Sequence, residues 1–208
     1  MKKNLPNLLS LSRLVATALV VAFVLINQSW SFLVATVLFL LASVTDFFDG
    51  YLARRFHVAS SLGVFLDLTA DKIFVAAILI SLVQINLVPA WIVIIIVARE
   101  FLVTGLRSMA AAKGKVIPAG VWGKQKTFIT LVAIGGILLA KGMGAHQLSL
   151  FPLMLVFTSK TLNVAEIMLL AADVLLLVAV FWTIMSGVEY FIGALPLFQS
   201  ERETSKTS

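Results

Sequence analysis

Asp46-Phe47-Phe48-Asp49-Gly50-Tyr51-Leu52-Ala53-Arg54 and, eight residues on, Gly63-Val64-Phe65-Leu66-Asp67-Leu68-Thr69-Ala70-Asp71 constrain everything around them. Four of the ten acidic residues sit in this stretch, within a chain of 208 residues that is 61% hydrophobic. A carboxylate in membrane-grade sequence is costly; it faces an internal cavity or a partner and marks function by default. At 100° per residue, Asp46, Asp49, Gly50 and Ala53 fall within roughly 100° of one helix, and Ser60, Gly63, Asp67 and Asp71 within about 80° of the next. At 1.5 Å per residue, Asp46 and Asp67 each lie about 10–12 Å from the turn between these helices. A hairpin would therefore set two carboxylate pairs face to face near one membrane surface. Gly50, Ala53 and Gly63 would allow close helix approach there, or leave room for a ligand.

Outward from that hairpin, the chain reads as membrane protein. Its mean hydropathy is +1.06 with 12% charged residues, far from soluble usage. The expected fold is all-α: a polytopic integral membrane protein with six transmembrane helices. The segments are about Leu8–Ile26, Ser31–Arg54, Ser61–Val83, Pro89–Lys113, Lys124–Lys141 and Asn163–Phe191, each with the roughly 20 mostly apolar residues that a span requires. Pro89 opens the fourth where its missing N–H is harmless, and Gly114 follows its end. Asn163 and Glu166 form a capping-box pattern ahead of the sixth, which is long enough to tilt or to project beyond the bilayer. Residues 1–208 form a single domain, with 198–208 a polar cytoplasmic tail expected to be mobile from Gln199 onward.

The net charge of +6 is spread between apolar runs and does not form a nucleic-acid-binding surface. Lys2, Lys3, Arg13, Arg54, Arg55, Arg107, Lys113, Lys115, Lys124, Lys126, Arg202 and Lys206 fall on the side of the termini, against Lys141 and Lys160 opposite. Both termini are therefore expected in the cytoplasm. Lys2 and Lys3 ahead of an apolar run mimic a signal peptide, but Pro6, Arg13 and the lack of a small-residue cleavage site favour a retained helix. The absence of cysteine excludes disulfides and thiol chemistry.

Hard carboxylate oxygens select Mg²⁺, Mn²⁺ or Ca²⁺, and without His or Cys beside them a zinc site is not expected. Four carboxylates exceed what one Mg²⁺ needs, which fits two metals or one metal and a base. Arg54 beside them can hold a phosphate. Together these groups point to phosphate-ester chemistry. Two other roles compete. Buried ion pairs with Arg54, Arg55 or Lys72 would leave more acids than bases. A cation transporter would place its acids near the bilayer midplane, without an adjacent arginine. Asp173 and Glu189, intramembrane acids outside the motif, are read as packing or ion-pair groups. Trp30, Trp91 and Trp182 are read as interface anchors.

The spacing Asp-x2-Asp-Gly-x2-Ala-Arg-x8-Gly-x3-Asp-x3-Asp resembles, at every defined position, the signature of the CDP-alcohol phosphatidyltransferase family. Members move a phosphatidyl group from a CDP-linked lipid to an alcohol and release CMP. The resemblance implies that Asp46, Asp49, Asp67 and Asp71 hold two divalent cations, Mg²⁺ or Mn²⁺, with Asp71 also the general base. It further implies that Gly50, Arg54 and Ser60 hold the CDP-diacylglycerol donor. Pro6-Asn7-x-x-Ser10-x-x-Arg13, Ala70-Asp71-Lys72, Arg99-Glu100-x-x-x-Thr104-x-x-Arg107 and Gly123-Lys124-x-Lys126-Thr127 resemble the bacterial branch whose acceptor is sn-glycerol 3-phosphate. Arg107, Lys124 and Lys126 are the expected ligands of the acceptor phosphate. Siblings using inositol phosphate, serine or phosphatidylglycerol share the core motif. A homodimer in a bacterial cytoplasmic (inner) membrane, with its active site facing the cytoplasm, is implied by the same resemblance.

Overall fold

The computed structural model describes residues 5–56, 61–112, 114, 121–145 and 163–204. Those residues form six α-helices and no strand: α1 (Leu5–Ile26), α2 (Ser29–Phe56), α3 (Ser61–Gln84), α4 (Ala90–Ala112), α5 (Val121–Gly142) and α6 (Val164–Thr204). Each matches an expected segment to within a few residues, except at the far end of the sixth.

The helix ends follow local chemistry. Asn163 donates its backbone N–H to Glu166 Oε2 at 2.9 Å, the returning bond of a capping box. Pro89 stands immediately before α4, and its carbonyl accepts from the Ile92 N–H at 3.2 Å. Gly114, at φ 68°, closes the same helix in the left-handed conformation that glycine adopts without a Cβ penalty. Lys141, in the last turn of α5, places a cation at that helix end and donates to the Ala145 carbonyl just beyond it at 3.1 Å.

The sixth helix corrects one expectation. Rather than ending near Phe191, α6 runs for 41 residues to Thr204. At 1.5 Å per residue that is about 60 Å, roughly twice the hydrocarbon thickness of a bilayer. Gln199, Glu201, Arg202 and Glu203 are polar but good helix formers. Polarity removes them from lipid without ending the helix.

Among the described residues the larger apolar cluster lies toward the end where α1, α3 and α5 finish and α2, α4 and α6 begin, here called the closed end. Val24, Phe32, Phe39, Ile78, Leu82, Ile92, Ile137 and Leu176 are buried there in one apolar cluster. α5 lies along α6 and against α2, while α1 lies along both α2 and α3. A Cβ on Gly136 would come within 2.9 Å of Ala172 Cβ, so the close approach of α5 to α6 depends on that glycine. The exterior is apolar instead of charged: Phe101, Leu102 and Phe128 are each about 70% exposed. Gln125–Gly142 and Val164–Ala194 are long and apolar enough to cross a membrane, and Leu11–Ile26 and Ser29–Thr45 are shorter apolar stretches.

Candidate active site

Toward the opposite, open end the interior changes character. A cavity of about 340 Å³ lies between α1, α2, α3, α4 and α5, lined by Arg13, Asp71, Lys72, Glu100, Thr104 and Lys126 among others. Charge in an otherwise apolar interior is stable only when paired, and each of these groups has partners.

On one wall, Arg13 of α1 is buried and its Nη1 stands 3.3 Å from Asp71 Oδ1. Asp71 is the more open partner, with 53% of its side chain exposed. Its neighbour Lys72 points toward α4 and donates to Thr104 Oγ1 at 2.6 Å, while that hydroxyl donates to the Glu100 carbonyl at 2.6 Å. Thr104 thereby ties a cation of α3 to the backbone of α4.

On the other wall, Glu100 is the anion shared by two cations. Arg99 Nη1 approaches Glu100 Oε1 at 3.1 Å, and Lys126 of α5 is ion-paired with the same oxygen. Arg99 reaches on to α6: its Nη2 donates to Ser186 Oγ, and its guanidinium lies 5.4 Å from the centre of the Tyr190 ring. Arg99, Lys126 and Ser186 are all buried. This network crosslinks α4, α5 and α6 in surroundings where removing one partner would leave a charge uncompensated.

Of the expected metal ligands, Asp71 faces the cavity. Asp46, Asp49, Gly50 and Arg54 belong to α2, Asp67 to α3 and Lys124 to α5, but beyond that helical placement they lie outside the described residues, as does the whole of Ser60. The backbone gives their register. Phe39 and Phe74 stack with ring centres 5.5 Å apart, joining α2 to α3. Position 46 is seven residues beyond Phe39, and position 67 seven before Phe74, so in antiparallel helices both stand about 10 Å from that contact on the same side. The donor set is carboxylate throughout, as Mg²⁺ or Mn²⁺ requires.

Of the expected acceptor ligands, Lys126 lines the cavity with Glu100 as its counter-ion. Arg107 is exposed and is not among the cavity-lining side chains. It stands two turns beyond Glu100 on the same side of α4. Arg99 pairs with Glu100, and its further partners Ser186 and Tyr190 were missed by sequence reasoning. An arginine in the middle of an apolar helix needs buried partners, and that need was the available signal. Asp173 is buried on α6 with Oδ1 lacking a hydrogen-bond partner among the described residues, and Glu189 is exposed on the same helix.

Among the described residues, the helical bundle with its apolar exterior gathers two carboxylates, Asp71 and Glu100, and several cations around a cavity, an arrangement suited to an anionic ligand. A family profile described as CDP-alcohol phosphatidyltransferase matches residues 3–185, and the chain belongs to that family. It is 38% identical over 200 residues to the CDP-diacylglycerol–glycerol-3-phosphate 3-phosphatidyltransferase of Bacillus subtilis (strain 168), covering 90% of this chain and 93% of that one. The protein of the same name from Rickettsia bellii is 34% identical, with 91% and 94% covered. A Mycobacterium tuberculosis protein named "Probable phosphatidylglycerophosphate synthase" is 37% identical over 97% of this chain and 87% of its own length.

Proposed function

We propose that the protein transfers the phosphatidyl group of CDP-diacylglycerol to sn-glycerol 3-phosphate, giving phosphatidylglycerophosphate and CMP in phospholipid biosynthesis. The observation that carries this is the cavity in which the Asp71 carboxylate shares space with Arg13, Lys72 and Lys126. It supplies a base and a surplus of positive charge to an acceptor that brings both a hydroxyl and a phosphate. The relatives' names indicate the same reaction.

The open end of the bundle is the cytoplasmic one. Twelve basic residues flank that end of the chain's segments and two flank the closed end, in accord with the positive-inside rule. Trp30 and Trp91 are exposed at the closed end, as interfacial anchors would be. All six helices span a bacterial inner membrane, both termini are cytoplasmic, and the enzyme works as a homodimer.

In this mechanism Asp71 takes the proton from the primary hydroxyl of glycerol 3-phosphate. The freed oxygen forms a bond to the phosphorus of the phosphatidyl group, and the bond from that phosphorus to the CMP oxygen breaks. Arg13 holds Asp71 toward the cavity. Gly50, Arg54 and Ser60 hold the donor, while Arg107, Lys124 and Lys126 neutralise the acceptor phosphate. Asp46, Asp49, Asp67 and Asp71 would hold two Mg²⁺ or Mn²⁺ ions, which when bound neutralise the charge developing on the diphosphate.

The test is CMP release by the detergent-purified protein, comparing glycerol 3-phosphate, inositol phosphate, serine and phosphatidylglycerol. Release with glycerol 3-phosphate alone is the expected result. Release with another alcohol instead would reassign the acceptor.

A further inference from the structure

Glu100 is held in an unusual way for a carboxylate that serves only as a counter-ion. Both of its cation partners, Arg99 Nη1 and Lys126 Nζ, meet the same oxygen, Oε1. Its backbone carbonyl is also committed, to Thr104. Two cations use only part of a carboxylate's acceptor capacity, and Glu100 is a cavity-lining side chain with 27% of its surface open. The group is also immobilised at a distance, because Arg99 is itself fixed by Ser186 and Tyr190 of α6. A carboxylate fixed by an ionic network, with acceptor capacity left and part of its surface open to a cavity, is a pre-positioned hydrogen-bond acceptor.

The cavity then offers three kinds of group to one small ligand. Asp71 accepts a proton from a reacting hydroxyl; Lys72 and Lys126 attract a phosphate; Glu100 can accept a hydrogen bond from a neutral O–H. A carboxylate would repel the phosphate, so Glu100 must face another part of the acceptor. In glycerol 3-phosphate the only remaining polar group is the secondary hydroxyl, which lies between the reacting hydroxyl and the phosphate.

We propose that Glu100 is a specificity-determining residue that accepts a hydrogen bond from the secondary hydroxyl of the acceptor and so selects a vicinal diol phosphate over a simple hydroxyalkyl phosphate. This rests on the transferase function proposed above. A site built to bond a substrate hydroxyl discriminates strongly against the analogue without it, because its own acceptor is then left unmet.

The probe is 3-hydroxypropyl phosphate, which keeps the reacting hydroxyl and the phosphate but lacks the secondary hydroxyl. For the wild-type protein, kcat/KM for glycerol 3-phosphate should exceed that for the probe by roughly tenfold or more, the scale of a hydrogen bond to a charged group. In Glu100→Leu the ratio should fall to within about threefold of unity, through a larger loss of activity toward glycerol 3-phosphate than toward the probe. Glu100→Gln keeps a neutral acceptor and should give an intermediate ratio; it carries the test if the leucine variant does not fold. A wild-type ratio near one overturns the inference, and so does a large ratio that survives both substitutions. Failure of folded wild-type protein to release CMP with either acceptor would strike the transferase reading itself, and this inference with it.

Discussion

The two ends of the bundle are built on opposite principles. At the closed end Val24, Phe32, Phe39, Ile78 and Ile137 pack in one apolar cluster, the buried hydroxyls of Ser31, Thr36 and Ser81 bond backbone carbonyls three or four residues earlier, and close helix approach depends on a glycine, Gly136, meeting Ala172. At the open end the same helices are held by ion pairs and hydroxyls, from Arg13 on Asp71 to Arg99 on Ser186, around a cavity of about 340 Å³. Dispersion and burial can tolerate a small loss anywhere in the first region. In the second, structural partners such as Arg99 and Ser186 stand beside candidate ligands such as Asp71 and Lys126, so losses should divide sharply between function and folding.

The largest effect should come from Asp71→Asn. Loss of the general base should lower kcat by about 10²–10⁴-fold while CDP-diacylglycerol binding largely survives. Undiminished turnover would remove Asp71 from that role. The next largest should be a loss of stability. Arg99→Ala leaves Ser186 and part of the Glu100 charge without their partner deep in the bundle, and should cost about 3–5 kcal/mol in a detergent unfolding titration. A change below about 1 kcal/mol would mean that the network contributes little to folding, contrary to the contrast drawn between the two ends.

Arg107→Ala belongs to the functional side of the same end. It should raise KM for glycerol 3-phosphate about tenfold, equivalent to roughly 1.4 kcal/mol, with little change in the donor KM. Equal effects on both substrates would point to topology or folding. The smallest effect should be at the closed end. Gly136→Ala forces a Cβ against Ala172, and should destabilise by about 1–3 kcal/mol without altering either KM. A changed acceptor KM in that variant would show that the two ends are not independent.

The same contrast explains what was legible in the sequence. The apolar half announces itself through hydropathy, and the helix ends through Pro89, Gly114 and the Asn163–Glu166 pair, all of which the structure reproduces. The helical placement of the acids was legible: Asp67 and Asp71 stand one turn apart on α3 and Asp46 and Asp49 likewise on α2, while the facing of the two pairs falls on side chains outside the described residues. The basic half was not. Arg99, Lys126 and Ser186 come from three helices and are separated by up to 87 residues, so no local period links them. Arg13 stood out only as part of a flanking pattern, and its contact with Asp71 spans 58 residues. The extent of α6 was misjudged for another reason: Gln199–Thr204 is too polar for lipid, and polarity is a poor guide to where a helix stops.

The most direct test of the central claim is the incorporation of labelled glycerol 3-phosphate into lipid by the purified protein supplied with CDP-diacylglycerol. Incorporation should require Mg²⁺ or Mn²⁺, vanish on chelation, return when the metal is restored, and match CMP release mole for mole. Well-folded protein that releases no CMP and labels no lipid under these conditions would contradict it.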